Sequence, residues 1–214
     1  RSRLLRTISA AFILVFFAFY TSSGFVASGK LFATLFDMPY VEAMFWGSIV
    51  MLAYTFFGGF LAVSWSDVLQ GTLMFVALVL VAWMGLDLAG GVTPSLDEIA
   101  ARDPQLLDPW IGSNGEALGW IGILSLVGWG LGYAGQPHIL ARFMAIRRVE
   151  EMTAARRVAM VWVIAVLVAA VVVGLTGLLV LDTPLTGADS EKVFILMSTQ
   201  FFHPAIAGIC LAGI

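Results

Sequence analysis

A run of glycines and aromatic residues that ends in a proline, Gly128-Trp-Gly-Leu-Gly-Tyr-Ala-Gly-Gln-Pro137, lies inside an apolar segment of membrane-spanning length. Each glycine of the run weakens a helix by about 1 kcal/mol relative to alanine. These glycines are Gly128, Gly130, Gly132 and Gly135. Pro137 lacks the N–H that would bond the carbonyl of Tyr133, and its ring displaces that carbonyl. Because freed backbone groups at membrane depth must be satisfied by protein, water or a ligand, the run predicts a broken helix that lines a cavity.

The aromatic side chains of this run suit a small zwitterion with an apolar body. Trp129 and Tyr133 are four residues apart, so they share a helix face, and Pro137 continues that face. The rings can pack on the body and lie close to its ammonium group, while open carbonyls and the tyrosine hydroxyl bond its polar ends. The alternative is that both rings pack against a neighbouring helix, with the Gly128-to-Gly132 spacing allowing close approach. The whole constellation favours the cavity, because such breaks mark substrate and ion sites in secondary transporters.

Asp67 is the acidic residue best placed to act on a cation. It ends Ser64-Trp-Ser-Asp67, a very short link between two apolar spans. A carboxylate near membrane depth indicates function, and with the hydroxyl of Ser66 it offers the oxygen ligands that a hard cation such as sodium takes. The alternative is an N-cap, in which Ser66 or Asp67 begins the next span and faces water. The two roles are compatible, and the sequence leaves both open.

A polar band, Tyr20-Thr-Ser-Ser-Gly24, lies within the first apolar span. Hydroxyl groups in such a band can bond back to the carbonyls of their own helix, and we expect this of most of them. Tyr20 is the member that we place toward a cavity.

The remaining polar residues do not form a recognisable enzyme active site. The sequence has no paired carboxylates, no nucleophile with an adjacent base and no metal-ligand spacing. Gly130-Leu-Gly132-Tyr-Ala-Gly135 matches the dinucleotide pattern Gly-x-Gly-x-x-Gly, but it follows no strand and sits inside an apolar span. We therefore expect no enzyme activity, no resident cofactor and no nucleic-acid partner.

Composition predicts an all-α integral membrane protein that must position these residues in its helices. The 214 residues are 60% hydrophobic and 12% charged, and mean hydropathy is +0.97, whereas soluble domains carry roughly 25% charge. The terminal apolar run is too short to span a membrane, so we expect an internal fragment of a longer protein. The predicted elements are spans at about 5–26, 41–63, 68–88, 118–140 and 158–181, a surface helix at 193–202 and a truncated span at 205–214.

The basic residues predict an orientation. If the spans alternate, 8 of the 11 basic residues lie on one side: Arg1, Arg3, Arg6, Arg142, Arg147, Arg148, Arg156 and Arg157. The positive-inside rule makes that side cytoplasmic. The opposite side carries a long loop at about 89–117, in which Ser95-Leu-Asp-Glu98 reads as a capping box that opens a short surface helix.

Three segments carry a family resemblance: Gly59-Phe-Leu-Ala-Val-Ser-Trp-Ser-Asp67, Gly128-Trp-Gly-Leu-Gly-Tyr133 and Gly135-Gln-Pro-His-Ile-Leu-Ala-Arg-Phe-Met144. They resemble the sodium/solute symporter family, most closely its bacterial proline symporters, with a looser match at Val193-Phe-Ile. The resemblance implies a secondary transporter core of two inverted five-helix repeats, with sodium and substrate bound midway at broken helices. On that pattern this chain carries core helices three to seven and the beginning of eight.

The resemblance also implies roles for individual residues. In the family's proline symporters, residues matching Tyr20, Trp129, Tyr133 and Pro137 are associated with the proline site or its gating. The residue matching Asp67 is associated with sodium dependence, and the family's main sodium ligands lie on core helices one and eight, outside this chain. We therefore expect sodium-coupled import of L-proline across the inner membrane of a bacterium, with surrounding lipid and with sodium as the coupling ion.

Two other functions remain open from the sequence. One is a related symporter for another solute, such as pantothenate or another amino acid, because substrate identity depends partly on a helix that precedes this chain. The other is the symporter-like membrane domain of a sensor histidine kinase, which a soluble signalling domain after the membrane core would reveal. A purely structural helical bundle is disfavoured by the broken fourth span. The sequence does not determine the oligomeric state.

Overall fold

The protein is described by a computed structural model that covers residues 2–112, 115–133, 135–182, 185 and 187–213. Within these residues the α-helices are α1 (Arg3–Phe36), α2 (Tyr40–Leu88), α3 (Val92–Arg102), α4 (Trp120–Tyr133), α5 (Pro137–Met144), α6 (Met152–Val180), α7 (Val193–Phe201) and α8 (Pro204–Leu211). Short 3₁₀ helices occupy Pro104–Leu107, Val149–Glu151 and Gly187–Lys192, and one antiparallel bridge joins Ile111 to Ala117.

Three of these helical segments are long and apolar enough to cross a membrane: Arg3–Phe36, Tyr40–Leu88 and Val149–Val180. Each exceeds the roughly 20 residues that a helix needs to span the hydrocarbon core. The prediction of an all-α membrane chain is therefore confirmed.

The chain divides into two compact units, Arg1–Leu69 and Gln70–Ile214, which are described separately. In the first unit, α1 ends at Phe36, and its C-cap residue Asp37 has a left-handed backbone with φ of 50°. Gly29 of α1 approaches the ring of Tyr40 and the side chain of Met44. One turn further along α2, Gly47 faces Ser28 and Phe32. Small residues thus allow α1 and the start of α2 to pack closely.

The most pronounced irregularity in α2 is at Gly59, where φ is 57° and ψ is −156°. This conformation is open essentially to glycine alone. Two spans had been predicted at about 41–63 and 68–88, joined by the link 64–67. The structure instead continues the helix through that link. The hydroxyls of Ser64 and Ser66 are satisfied within it, since they donate to the carbonyls of Phe60 and Val63, at 2.8 and 2.9 Å. The prediction of a non-helical link is therefore wrong, and the backbone breaks at Gly59.

The core of the second unit lies where α2, α6 and α7 meet. Its buried members are Val81, Ala82, Ala169, Val173 and Met197. Two glycines permit this approach. A Cβ on Gly85 would meet the side chains of Thr176 and Met197, and a Cβ on Gly177 would meet the side chain of Val193. Helix α7 was predicted to be a surface helix, but Met197 and Ser198 are fully buried, so one face of α7 belongs to the core.

Helix α3 packs against α6 through a buried Ile99. Near its C-terminal end, Arg102 donates from Nη1 to the carbonyl oxygen of Leu178 at 2.8 Å and pairs with Glu98 at 2.6 Å. An arginine at the last turn of a helix such as α6 complements its exposed carbonyls. The predicted capping box is wrong, because α3 begins three residues earlier, at Val92, and Ser95 instead donates to the carbonyl of Gly91 at 2.6 Å.

Candidate functional site

The predicted broken span consists of α4 and α5 with a tight turn between them. In that turn the amide of Gly135 donates to the carbonyl of Gly132 at 3.0 Å, and the amide of Gln136 donates to the carbonyl of Tyr133 at 3.2 Å. Gln136 has an extended backbone with ψ of 125°, as expected for the residue before a proline. Pro137 is the first residue of α5, a position at which its missing N–H costs nothing.

The break is narrower than the glycine run predicted. Gly128, Gly130 and Gly132 lie inside α4, and only Gly135 of the four lies in the turn. The reason is that glycine lowers helix stability without forbidding the helix, whereas Pro137 removes a donor and constrains its predecessor. The predicted run therefore contains the break, which is confined to the C-terminal part of the run, between Tyr133 and Pro137.

The α4 glycines leave open space beside the helix. No described atom lies within 4 Å of the positions that a Cβ would take at Gly128, Gly130 or Gly132. Within the described residues, close packing of a neighbouring helix on these glycines therefore has no support. Space beside a helix break can admit a solute or lipid, or further helices.

Two of the predicted substrate residues flank the turn. The side chain of Tyr133 is 49% exposed, and Pro137 is half-buried. Positions 129 and 133 are one helical turn apart on α4, but the side chain of Trp129 lies outside the described residues. The turn therefore offers a phenol hydroxyl, a proline ring and the peptide groups between them, which together can bind both polar and apolar parts of a small solute.

Tyr20 lies in the middle of α1 in the first unit. Its ring centroid is 5.8 Å from that of Phe17, with the planes tilted by 40°. Next to it, the hydroxyls of Ser22 and Ser23 donate to the carbonyls of Ala18 and Tyr20, at 2.8 and 2.7 Å. The prediction that hydroxyls of this band bond back to their own helix is confirmed for these two serines.

Ser66 and Asp67 are both half-buried inside α2. Because α2 runs without interruption from Gly59 to Leu88, neither residue begins a helix, and the N-cap alternative is wrong. The hydroxyl of Ser66 donates its proton to the carbonyl of Val63, which leaves its oxygen lone pairs as acceptors. The Ser66 oxygen and the Asp67 carboxylate are both groups that can bind a sodium ion on its way through the protein. This role stays a prediction.

The structure brings some of the predicted residues together in one turn, and the others belong to a different compact unit. Tyr133, Gly135 and Pro137 meet at the α4–α5 turn. Tyr20, Ser66 and Asp67 belong to the first unit, whereas the α4 and α5 residues belong to the second. Two features were missed by sequence reasoning: the break at Gly59 and the bond from Arg102 to α6. The adjacent Gly58-Gly59 pair was the available signal for the first, and the Glu98-to-Arg102 spacing of four was a partial signal for the second.

Comparison with known proteins identifies the family. The model of the sodium:solute symporter family matches residues 1–214. The chain belongs to this family. It is 44% identical over 214 residues to the osmoregulated proline transporter OpuE of Bacillus subtilis, covering 100% of this chain and 42% of the relative. It is 45% identical over 219 residues to the sodium/proline symporter of Escherichia coli, covering 100% of this chain and 43% of the relative.

A third relative, the sodium/proline symporter of Salmonella typhimurium, is 44% identical over 219 residues, again covering 100% of this chain and 43% of the relative. The chain thus spans about two fifths of the length of the curated relatives that it matches. No solved structure matches it. Family membership confirms the resemblance seen in the sequence, and the long apolar helices agree with a multi-pass membrane protein.

Proposed function

We propose that this chain forms part of a sodium-coupled symporter that imports L-proline across the inner membrane of a bacterium. The observation that carries the proposal is the 44–45% identity, over the whole chain, to relatives whose names specify proline or sodium and proline. The interrupted helix at α4 and α5 supports it, because transporters of this kind bind solutes at discontinuous helices.

In this proposal the α4–α5 turn supplies the substrate contacts. The Tyr133 hydroxyl and nearby peptide groups bond the carboxylate or ammonium of proline, and the rings of Trp129 and Pro137 pack on its pyrrolidine. Tyr20 contributes from α1, and Ser66 and Asp67 lie on the sodium path. Sodium binding completes the site, proline then binds, and rocking of one helix bundle exposes both to the cytoplasm.

The proposed architecture is a core of two inverted five-helix repeats, of which this chain supplies an internal part. The arginine-rich segments face the cytoplasm in this arrangement, in accord with the positive-inside rule. The coupling ion gradient supplies the driving force, and the principal sodium ligands belong to helices outside this chain.

The test is sodium-dependent uptake of radiolabelled L-proline by the full-length protein. We expect Tyr133→Ala to raise the apparent KM for proline roughly tenfold, as for the loss of one buried polar contact. Leu131→Ala is the matched control, because Leu131 is an exposed residue of the same helix, and residues two apart do not share a face. It should leave KM within about twofold.

The outcome of this test is decisive in two ways. Equal KM values for Tyr133→Ala and the wild type would remove Tyr133 from the substrate site. Uptake of pantothenate or another amino acid, with none of proline, would overturn the proposed substrate while leaving the symporter family intact.

A further inference from the structure

A strongly basic stretch of exposed residues runs from α5 into the first two turns of α6. We name it the basic collar, and its members are Arg142, Arg147, Arg148, Arg156 and Arg157. All five side chains are exposed. Among the described residues, none of the last four forms an ion pair with a carboxylate, although Glu150 and Glu151 lie in the same stretch. Within the part of the chain that the structure describes, these four guanidinium groups therefore have no acidic side-chain partner.

Exposed apolar side chains accompany these arginines. Met144 ends α5 and is 85% exposed, and Val149 begins the 3₁₀ helix before α6 and is 79% exposed. Phe143 is also exposed. Basic groups that alternate with exposed apolar groups are typical of segments that lie in the interface of a bilayer, where arginine stems cover apolar surface and their heads reach the phosphate layer.

The geometry of α6 puts the collar at the depth of lipid headgroups. From Val158 to Gly177 the helix carries no charged residue. The axial rise from Arg157 to Leu178 is roughly 32 Å at about 1.5 Å per residue, close to the roughly 30 Å thickness of the hydrocarbon core. At the far end the Leu178 carbonyl receives the guanidinium of Arg102. The apolar length of α6 is thus bounded by arginine at both ends.

The face of α6 below the collar is open to lipid in the described part of the chain. Val161, Ile164 and Val168 follow Arg157 at helical spacing, and all three are exposed. A lipid lying along this face would bring its acyl chain against these side chains and its phosphate to Arg157. Guanidinium groups bind phosphate oxygens through two parallel hydrogen bonds, which lysine cannot reproduce.

We propose that the basic collar binds the phosphate groups of acidic phospholipids. The arginines supply positive charge at headgroup depth, Met144 and Val149 enter the boundary between headgroups and acyl chains, and the C-terminal end of α5 is thereby held at the membrane surface. In the orientation proposed above this is the cytoplasmic leaflet. Lipid binding by the collar itself depends neither on that orientation nor on the transported solute.

The test uses the full-length protein in nanodiscs of phosphatidylcholine with a minor fraction of phosphatidylglycerol. Both leaflets then have the same composition, so a change of orientation cannot alter the result. Spin-labelled phosphatidylglycerol and phosphatidylcholine report the relative affinity of the protein surface for each lipid. For the wild type we expect a several-fold preference for phosphatidylglycerol that decreases as salt is added.

Three variants make the test specific to the collar. Arg156→Gln/Arg157→Gln should abolish most of the preference, since each basic residue near an acidic membrane surface contributes about fivefold in affinity. Arg156→Lys/Arg157→Lys keeps the charge but loses the paired hydrogen bonds, so its preference should lie between those of the wild type and the glutamine variant. Lys192→Gln is the control for charge removal elsewhere, because Lys192 pairs with Asp189 at 2.8 Å and lies outside the collar; it should leave the preference unchanged.

Two results would overturn the proposal: no preference for phosphatidylglycerol in the wild type, or an undiminished preference in Arg156→Gln/Arg157→Gln. The second result would mean that the acidic lipid binds elsewhere and that the collar meets another partner, such as an acidic protein surface. Because the measurement needs neither sodium nor proline, its failure is distinguishable from failure of the proposed transport function.

Discussion

Asp67 gives the sharpest test of ion coupling at the level of a single residue. It lies half-buried in α2, next to Ser66 in the sequence. Asp67→Asn preserves shape and removes the charge, so we expect the sodium concentration for half-maximal proline uptake to rise roughly tenfold, as for a lost charged contact. The measurement is a sodium titration of uptake by the full-length protein.

The control for this substitution is Asp87→Asn. Asp87 is an exposed aspartate near the C-terminal end of the same helix, and its removal changes the net charge by the same amount. Its sodium titration should match the wild type. If the curves of Asp67→Asn and Asp87→Asn coincide, Asp67 has no part in sodium coupling.

Residue types differ in how well they predict local backbone structure from the sequence. Pro137 could be interpreted correctly from the sequence, because the missing donor and the restricted preceding residue act wherever a proline occurs. Gly128, Gly130 and Gly132 could not, because glycine tolerates both helix and turn, and here all three are helical. The location of Tyr133 beside the turn follows from Pro137, whereas the surroundings of Tyr20 depend on tertiary packing that no local pattern encodes.

Within α2, the break at Gly59 is the feature most sensitive to substitution. A residue with a Cβ at φ 57° and ψ −156° is strained by roughly 1–3 kcal/mol. We therefore expect Gly59→Ala to lower the thermal unfolding midpoint of the full-length protein in detergent. The strain arises from the backbone conformation alone, since no described atom lies within 4 Å of the added Cβ.

Gly71→Ala is the matched control on the same helix. Gly71 is helical, and no described atom lies within 4 Å of its Cβ position, so alanine should raise stability slightly through its better helix propensity. An unfolding midpoint for Gly59→Ala that equals or exceeds the wild type would mean that α2 is regular at this position.

The course of α2 explains why this element was predicted only in part. Its apolar composition correctly predicted membrane-spanning helix, but the polar segment Ser64-Trp-Ser-Asp67 was interpreted as a link between two spans. Serine hydroxyls that bond to carbonyls of the preceding turn allow such a tetrapeptide to remain helical. The adjacent Gly58-Gly59 pair signalled a possible irregularity, but a positive φ at Gly59 could be identified only from the coordinates.

At the scale of the whole molecule, composition determined the class and family motifs determined the membership. An apolar fraction of 60% with 12% charge is decisive for a membrane protein, and the symporter resemblance was carried by three short segments. The burial of α7 was not predictable, because Val193–Phe201 is apolar without a marked polar face and its partner surface on α2 and α6 is distant in sequence.

The junction of α2, α6 and α7 predicts opposite effects for two glycines one turn apart on α6. A Cβ on Gly177 would collide with the side chain of Val193, whereas a Cβ on Gly174 would meet open space. Overpacking a closely packed core costs about 1–3 kcal/mol, so Gly177→Ala should lower the unfolding midpoint of the full-length protein. Gly174→Ala should raise it, since alanine gains up to about 1 kcal/mol over glycine inside a helix.

Both substitutions add one methyl group to the same helix. The difference between their unfolding midpoints therefore reports the contact of α6 with α7. Val193→Ala combined with Gly177→Ala removes the colliding methyl groups and should recover part of the loss, because contacting residues are not additive. If Gly177→Ala and Gly174→Ala shift the midpoint equally, α7 does not pack on α6 at this point. The core of the second unit would then have to be formed by other surfaces of these helices.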